Sequence, residues 1–246
     1  MTSIFKMTLT ELKLFLRDPM SVFFSIAFPT LLIVILGSVP AFREPRKDIG
    51  GLRVIDLYVP ISITMALAML ALSAVPTYLA TYREKGILRR LRTTPVPPSR
   101  LLLAQMVMSL LMAVVAVALL IAVSRVAFEV AVPRQLIGFA LAFVLSAAAL
   151  FGIGLVVAAL APNGRAATSI GTLLFFPILF FAGLWIPRAA MPGTLRHVSD
   201  FTPLGAGVQA LQDAAAGLWP QPLHLAVMAG YVVVFGLVAA RFFRWE

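Results

Sequence analysis

Six long stretches without a single charged side chain dominate this sequence. They are 22 to 30 residues long, and a helix needs roughly 20 apolar residues to cross the hydrocarbon core of a bilayer. One Arg or Asp at the centre of a span costs about 2.5–3.5 kcal/mol, whereas one Leu or Phe contributes only about 0.3–0.6 kcal/mol. The sequence therefore predicts an all-α integral membrane protein. The predicted spans lie near residues 20–42, 57–82, 101–124, 136–161, 166–187 and 221–241 of a single domain covering 1–246.

The overall composition excludes a soluble globular protein. Only 12% of the residues are charged and 61% are hydrophobic, whereas soluble domains carry about a quarter charged residues. The formal net charge is +10, but no soluble basic domain accompanies it, so we expect no nucleic-acid partner. The chain has no cysteine, which excludes disulfides and Cys-ligated metal sites.

The distribution of Lys and Arg predicts the orientation of the spans. If both termini are inside, the internal segments hold twelve of the twenty basic residues and the external segments hold eight. Cytoplasmic loops carry the excess of Lys and Arg, so the N- and C-termini are predicted to be cytoplasmic. The positive charge then reflects this orientation and contact with anionic membrane lipids.

Residues 1–19 have the pattern of a helix that lies in the membrane interface. An apolar stripe and a basic stripe recur one residue apart at helical spacing, and Asp18-Pro19 ends the pattern because a residue before proline is pushed out of the helical region. The apolar stripe consists of Phe5, Leu9, Leu12 and Leu16, and the basic stripe includes Lys13 and Arg17.

Residues 188–213 resemble neither a clean span nor an ordinary loop. Apolar residues recur at roughly helical spacing, but Pro192, Pro203, Gly205 and Gly207 interrupt them. This pattern predicts short re-entrant or interfacial helices embedded in the outer leaflet before the last span.

The loop at residues 83–100 is the most charged segment of the chain. It contains six of the twenty basic residues, and Ile87, Leu88 and Leu91 form a small apolar ridge among them. The prolines at 95, 97 and 98 must end any helix here. One interpretation is a short cytoplasmic helix that fits a groove of a partner protein. The other is a basic anchor that sets orientation and binds lipid phosphates. The apolar ridge and the proline stop favour the docking helix.

Several sources of energy are excluded by what the chain lacks. There is no phosphate-binding Gly-x-x-x-x-Gly-Lys-Ser/Thr loop, so the chain does not bind ATP in that way. Metalloprotease and nucleophile-elbow motifs are also absent, and no metal or cofactor site is predicted. None of the six uncharged stretches contains an Asp, Glu, Lys or Arg, and proton-driven transporters depend on such ionisable residues within the membrane. If the protein transports a hydrophobic molecule, the energy must come from elsewhere.

Three segments carry a resemblance to a known family. Residues 16–19 read Leu-Arg-Asp-Pro, and residues 82–95 read Tyr-Arg-Glu-Lys-Gly-Ile-Leu-Arg-Arg-Leu-Arg-Thr-Thr-Pro. Residues 181–187 read Phe-Ala-Gly-Leu-Trp-Ile-Pro and precede Phe-Thr-Pro-Leu at 201–204. Together they resemble the permease subunits of type-2 ABC exporters, particularly the bacterial drug-efflux branch typified by the daunorubicin permeases. The resemblance covers nearly the whole chain.

The resemblance implies two permease subunits, identical or paralogous, each docked to a separate ATP-binding-cassette subunit that binds ATP and Mg. It implies no catalysis by the permease, a location in the bacterial inner membrane, and alternating access that moves a hydrophobic drug or lipid outward. The N-terminal interfacial helix and the loop after the second span would contact the ATPase. The residues assigned to this coupling are Arg83, Glu84, Lys85, Gly86, Leu88, Arg89, Leu91, Arg92 and Pro95.

The resemblance also implies a substrate path between the two permease subunits, lined by the first, second and fifth spans. The residues chosen as possible members of this path are Phe28, Thr64, Phe176 and Phe180. A permease of a lipid-linked polysaccharide exporter has the same architecture and remains an alternative. A lipid-modifying membrane enzyme would need acidic or His clusters, whereas the acidic residues here are scattered. An accessory scaffold would not need a docking loop.

Overall fold

The computed structural model describes residues 2–49, 51–91, 99–186, 188 and 191–242. Within these ranges the regular structure is helical, apart from one isolated bridge between Pro45 and Arg53. Six described helices are long and apolar enough to cross a membrane, which confirms the predicted all-α integral membrane protein. Spans 1 to 6 are Pro19–Ser38, Val54–Glu84, Arg100–Phe128, Leu136–Leu160, Gly164–Ala182 and Pro222–Phe242.

The N-terminal helix, Thr2–Leu16, ends immediately before span 1. Asp18 caps the start of span 1, because its carboxylate accepts hydrogen bonds from the Ser21 N–H at 3.3 Å and from the Ser21 hydroxyl at 2.6 Å. Pro19 follows at the first helical position, where its missing N–H costs nothing. The Asp-Pro pair that predicts the end of one helix therefore also starts the next.

Span 2 is the central helix of the bundle. In its most apolar window 67% of the residues are buried, compared with 28% in span 1 and 17% in span 6. It contacts spans 1, 3, 4 and 5. A displacement of span 2 therefore reaches most of the other spans directly.

Two prolines are accommodated by widened π-helical turns. The turn Phe23–Ala27 precedes Pro29 in span 1, and the turn Leu70–Ala74 precedes Pro76 in span 2. Proline has no N–H and its ring collides with the carbonyl four residues earlier. A wider turn relieves that collision and leaves carbonyl groups of the helix without their usual donors.

Two glycines of neighbouring spans lie against the carbonyls of the π turn in span 2. A Cβ atom added to Gly154 of span 4 would lie 2.0 Å from the carbonyl oxygen of Ala71. A Cβ added to Gly171 of span 5 would lie 1.8 Å from the carbonyl oxygen of Leu72. Only glycine allows this approach, which brings the backbones of spans 4 and 5 into direct contact with span 2.

Before span 6 the chain forms the helices Gly193–Asp200 and Pro203–Ala216. Thr202 caps the second helix by accepting the Gly205 N–H at 3.1 Å, and Gly217 ends it with a φ of +91°. Leu204, Val208 and Leu211 are fully or almost fully buried. This helix therefore packs inside the bundle against spans 2, 4, 5 and 6. The depth of the predicted embedded segment in the outer leaflet stays a prediction.

Candidate functional site at the arginine-rich end of the bundle

The arginine-rich end is the end at which span 2 stops, and it also includes the N-terminal helix and the turn between spans 4 and 5. Span 2 ends at Glu84 and the chain reverses at Lys85–Gly86. Gly86 has a φ of +66°, a left-handed conformation that favours glycine. The short helix Ile87–Leu91 follows at once, so it is joined to span 2 by only two residues.

One side of span 2 is hydrogen-bonded to the N-terminal segment. The hydroxyl of Tyr82 donates to the two carboxylate oxygens of Glu11 at 2.9 and 3.1 Å. One turn earlier, the hydroxyl of Tyr78 donates to Asp18 at 3.0 Å. Hydrogen bonds to a charged acceptor are about twice as strong as neutral ones. The N-terminal helix and the cap of span 1 are thus each hydrogen-bonded to span 2.

The carboxyl group of Glu11 is buried, with 5% of the residue exposed. Burial raises its pKa above the ordinary value of 4.5, and the hydrogen bond from Tyr82 opposes part of this effect. Because the pKa is higher in the folded state, the folded protein binds this proton more tightly than the unfolded chain. The stabilisation is complete below the ordinary pKa and is lost as the pH rises through the raised pKa.

We therefore expect Glu11→Gln, which retains an acceptor for Tyr82 without the charge, to raise the thermal midpoint of unfolding near neutral pH. It should also reduce the difference between midpoints measured at about pH 5 and about pH 7.5. Unfolding of the purified protein at both pH values measures this. Glu44→Gln, at an exposed position, is the control. An unchanged pH dependence in Glu11→Gln would show that Glu11 titrates normally.

The other side of span 2 is bonded to the turn between spans 4 and 5. The Arg83 guanidinium donates to the carbonyl of Ala159 at 3.1 Å and also to that of Ala161, at the end of span 4. The Glu84 carboxylate accepts the Gly164 N–H at 3.2 Å, at the start of span 5. A cation is favoured at a helix C-terminus and an anion at an N-terminus. Arg83 and Glu84 therefore complement two helix ends of opposite polarity.

The predicted coupling residues divide into an exposed group and an anchoring residue. Glu84, Lys85 and Arg89 are exposed, whereas Leu88 is only 1% exposed. The apolar ridge thus does not present Leu88 to a partner: Leu88 is buried in the chain itself and holds the short helix in place. The side chain of Leu91, together with Arg92 and Pro95, lies outside the described residues.

Most residues of the apolar and basic stripes lie on the exposed face of the N-terminal helix. Phe5 is 71% exposed, and Leu9, Leu16, Lys13 and Arg17 are also exposed, while Leu12 is partly buried against the core. Neither stripe predicts which residues lie on the face of this helix that packs against the bundle. That face carries the buried Glu11 and Phe15, four residues apart, which is the spacing of one helical face.

The described contacts do not bring together the four residues chosen for a substrate path, and the path itself stays a prediction. Thr64 is fully buried within this subunit, and its hydroxyl donates to the carbonyls of Pro60 and Ile61. Phe176 is 55% exposed and stacks on Trp185, with ring centroids 6.2 Å apart. Phe28 and Phe180 are partly exposed, and the described ring contacts place Phe28 with aromatics of span 1 and Phe180 beside Phe181 of span 5.

These features define a class of protein: a helical membrane protein whose central span continues into a short, exposed, basic helix. Across residues 2–215 the chain matches the family described as ABC-2 type transporter. The chain belongs to this family, the membrane component of ABC-type transporters, and membership implies an ATP-binding-cassette partner.

One relative adds to this comparison. Nodulation protein J of Rhizobium leguminosarum bv. viciae is 30% identical to the chain over 115 residues, which is 43% of each protein. The chain thus matches less than half the length of this relative.

Proposed function

We propose that this chain is the permease of an ATP-driven exporter and that the exposed part of the short helix receives the force from its ATPase. The supporting observation is the set of hydrogen bonds around the end of span 2. Tyr82 joins span 2 to the N-terminal helix, and Arg83 and Glu84 join it to spans 4 and 5. Movement of the short helix would therefore move three parts of the permease together.

In this mechanism the ATPase binds ATP and Mg, and the permease contributes no catalytic group. Closure of the ATPase pushes the short helix, span 2 transmits the displacement, and two permease subunits exchange an inward-open site for an outward-open one. The arginine-rich end faces the cytoplasm of a bacterial cell, in agreement with the excess of basic residues there.

The transported molecule is proposed to be hydrophobic or amphipathic, a drug or a lipid. Exposed aromatic side chains on spans 1 and 5 support this class, including Phe23, Phe24 and Phe176. These surfaces would face the second permease subunit and surrounding lipid. A hydrophobic substrate needs apolar contact area and does not need a charged path. The aromatic side chains of these spans supply such contact area.

Reversing the charge of Arg89 tests the docking surface. We expect Arg89→Glu to reduce co-purification of the ATPase by roughly tenfold or more, since like charges at an interface suppress association. The thermal midpoint of the permease itself should stay unchanged because Arg89 is exposed. The measurement is the amount of ATPase recovered with tagged permease from native membranes, together with its ATP hydrolysis.

Arg125→Glu is the matched control, because Arg125 is an exposed arginine at the opposite end of the bundle. It should leave the recovery of ATPase unchanged. Equal recovery with Arg89→Glu and Arg125→Glu would contradict the docking role and leave the basic loop as a lipid anchor.

A further inference from the structure

A cavity of about 560 Å³ lies at the end of the bundle opposite the arginine-rich end. It is enclosed by the starts of spans 2 and 4, the end of span 3 and the helix Pro203–Ala216. Its apolar walls include Val59, Ile63, Ile121 and Phe139. Small-molecule sites are typically about 300–1,000 Å³ and mostly apolar with a few polar groups, so this cavity has the dimensions of a binding site.

Arg53 is a lining residue of the cavity that contacts several of its neighbours. Its guanidinium binds the carboxylate of Asp56 through two hydrogen bonds of 2.7 and 2.8 Å. It also donates to the carbonyls of Phe128 at 3.1 Å and Glu129 at 3.4 Å. Glu129 has a φ of +55°, an uncommon conformation for a residue with a side chain. Arg53 thus helps to hold a strained residue that lines the cavity.

The charge of the cavity has the opposite sign to that of the protein. Three of the ten acidic residues of the chain line it, namely Asp56, Glu129 and Asp213, against two arginines, Arg53 and Arg134. The formal sum is −1 in a protein of net charge +10. Arg53 is occupied by Asp56, which leaves two carboxylates and Arg134 to meet a ligand.

The two remaining carboxylates have few partners. Within the described part of the chain, the Glu129 carboxylate accepts no hydrogen bond, and its charge helps to raise the pKa of Arg53. Burial raises the pKa of Asp213, which means that its ionised form is penalised. The hydrogen bond from the Gln221 N–H at 3.3 Å and the charges of His224 and Arg188 offset only part of this penalty. A cation bound beside Asp213 would remove part of that penalty.

We propose that this cavity binds an amphiphilic amine, with the ammonium group between Glu129 and Asp213 and the apolar body against Ile63, Ile121 and Phe139. The site lies within one subunit and does not depend on the docking of an ATPase. An adjoining cavity of about 300 Å³ shares Leu52, Leu57 and Gln212 with the first.

The test uses full-length permease in a neutral maltoside detergent without nucleotide. Octylamine, octanol and octanoate, which share one chain length and differ in charge, are titrated calorimetrically against the protein and against empty micelles. We expect one saturable octylamine site per chain, bound at least about tenfold more tightly than octanol, a factor that corresponds to about 1.4 kcal/mol. Equal affinity for octylamine and octanol, or tighter binding of octanoate, would overturn the proposal.

Two variants test separately the contribution of the Glu129 charge and that of the cavity volume. Glu129→Gln should weaken octylamine about tenfold without affecting octanol. Ala215→Phe places a ring in the cavity wall and should abolish saturable binding of both. Glu44→Gln, an exposed acidic position outside the cavity, should bind like the wild type. Should Ala215→Phe fail to fold, Glu129→Gln still decides, because affinity equal to that of Glu44→Gln would contradict the site.

The ammonium group has two natural sources, a soluble amine or the headgroup of phosphatidylethanolamine. Adding this lipid to the micelles distinguishes them. Competition with octylamine would show that a lipid headgroup enters the cavity, and absence of competition would assign the site to soluble amphiphilic amines. Both results retain the ammonium site.

Discussion

Gly171→Ala is expected to lower the stability of the folded permease by about 3 kcal/mol or more, at the upper end of the range for overpacked sites. The added methyl group would lie 1.8 Å from a backbone carbonyl oxygen of span 2, which cannot rotate away as a side chain can. The thermal midpoint should fall by roughly 6–12 °C, taking about 2–4 °C per kcal/mol for a chain of this size. Fluorescence-detected unfolding of the purified protein measures the shift, and Gly154→Ala should behave in the same way.

Gly230→Ala supplies the matched control for both glycine variants. It is the same substitution in a membrane span, but apart from its chain neighbours and the nearby backbone of its own helix, no atom of the described chain lies within 4 Å of the added Cβ. Its midpoint should be unchanged or slightly higher, since alanine is the better helix former. If Gly171→Ala unfolds at the temperature of Gly230→Ala, spans 2 and 5 are farther apart than described.

Arg83→Met is expected to separate docking from transport. The substitution keeps an unbranched apolar side chain but removes the hydrogen bonds to the carbonyls of Ala159 and Ala161. Hydrogen bonds from a charged donor contribute about 1.5–3 kcal/mol each, so transmission from span 2 to span 4 should weaken by at least about tenfold. The measurement is substrate-stimulated ATP hydrolysis and substrate uptake in proteoliposomes that contain permease and ATPase.

The same preparation must still contain the ATPase, because Arg83 faces the permease and not the exposed surface. Arg165→Met is the control, an exposed arginine at the same end of the bundle. It should leave both docking and stimulated hydrolysis intact. Release of the ATPase by Arg83→Met would instead assign Arg83 to the docking surface and contradict its role in transmission.

The number and type of the spans were predictable because a single charge is costly in hydrocarbon. The residues at which the spans begin and end were less predictable. Span 2 begins at Val54 and ends at Glu84, so it includes Asp56 and Arg83, whereas the uncharged stretch covers 57–82. A helix continues beyond the apolar layer wherever its charged residues find partners, as Asp56 does with Arg53 and Arg83 does with span 4. The uncharged stretch therefore indicates the extent of the apolar layer and not the ends of the helix.

The site was predicted only in part, because periodicity identifies faces but not what each face contacts. A carboxylate on an amphipathic helix predicts exposure to water, yet Glu11 is buried against Tyr82. Thr64 offered a polar group in an apolar span, and its hydroxyl is satisfied by its own backbone. One signal was present: Tyr78 and Tyr82 lie one turn apart at the end of a span, where hydroxyl groups need acceptors.

The π turn at Leu70–Ala74 changes the rotation of the following half of span 2 about the helix axis. A widened turn is equivalent to one residue inserted into a regular helix, and one residue corresponds to a rotation of about 100° at 3.6 residues per turn. The half of span 2 that carries Tyr78, Tyr82 and Arg83 is therefore set at an angle that an unbroken helix would not give. Any conversion between π and α geometry at this turn would rotate these three side chains about the helix axis relative to Glu11 and Ala159.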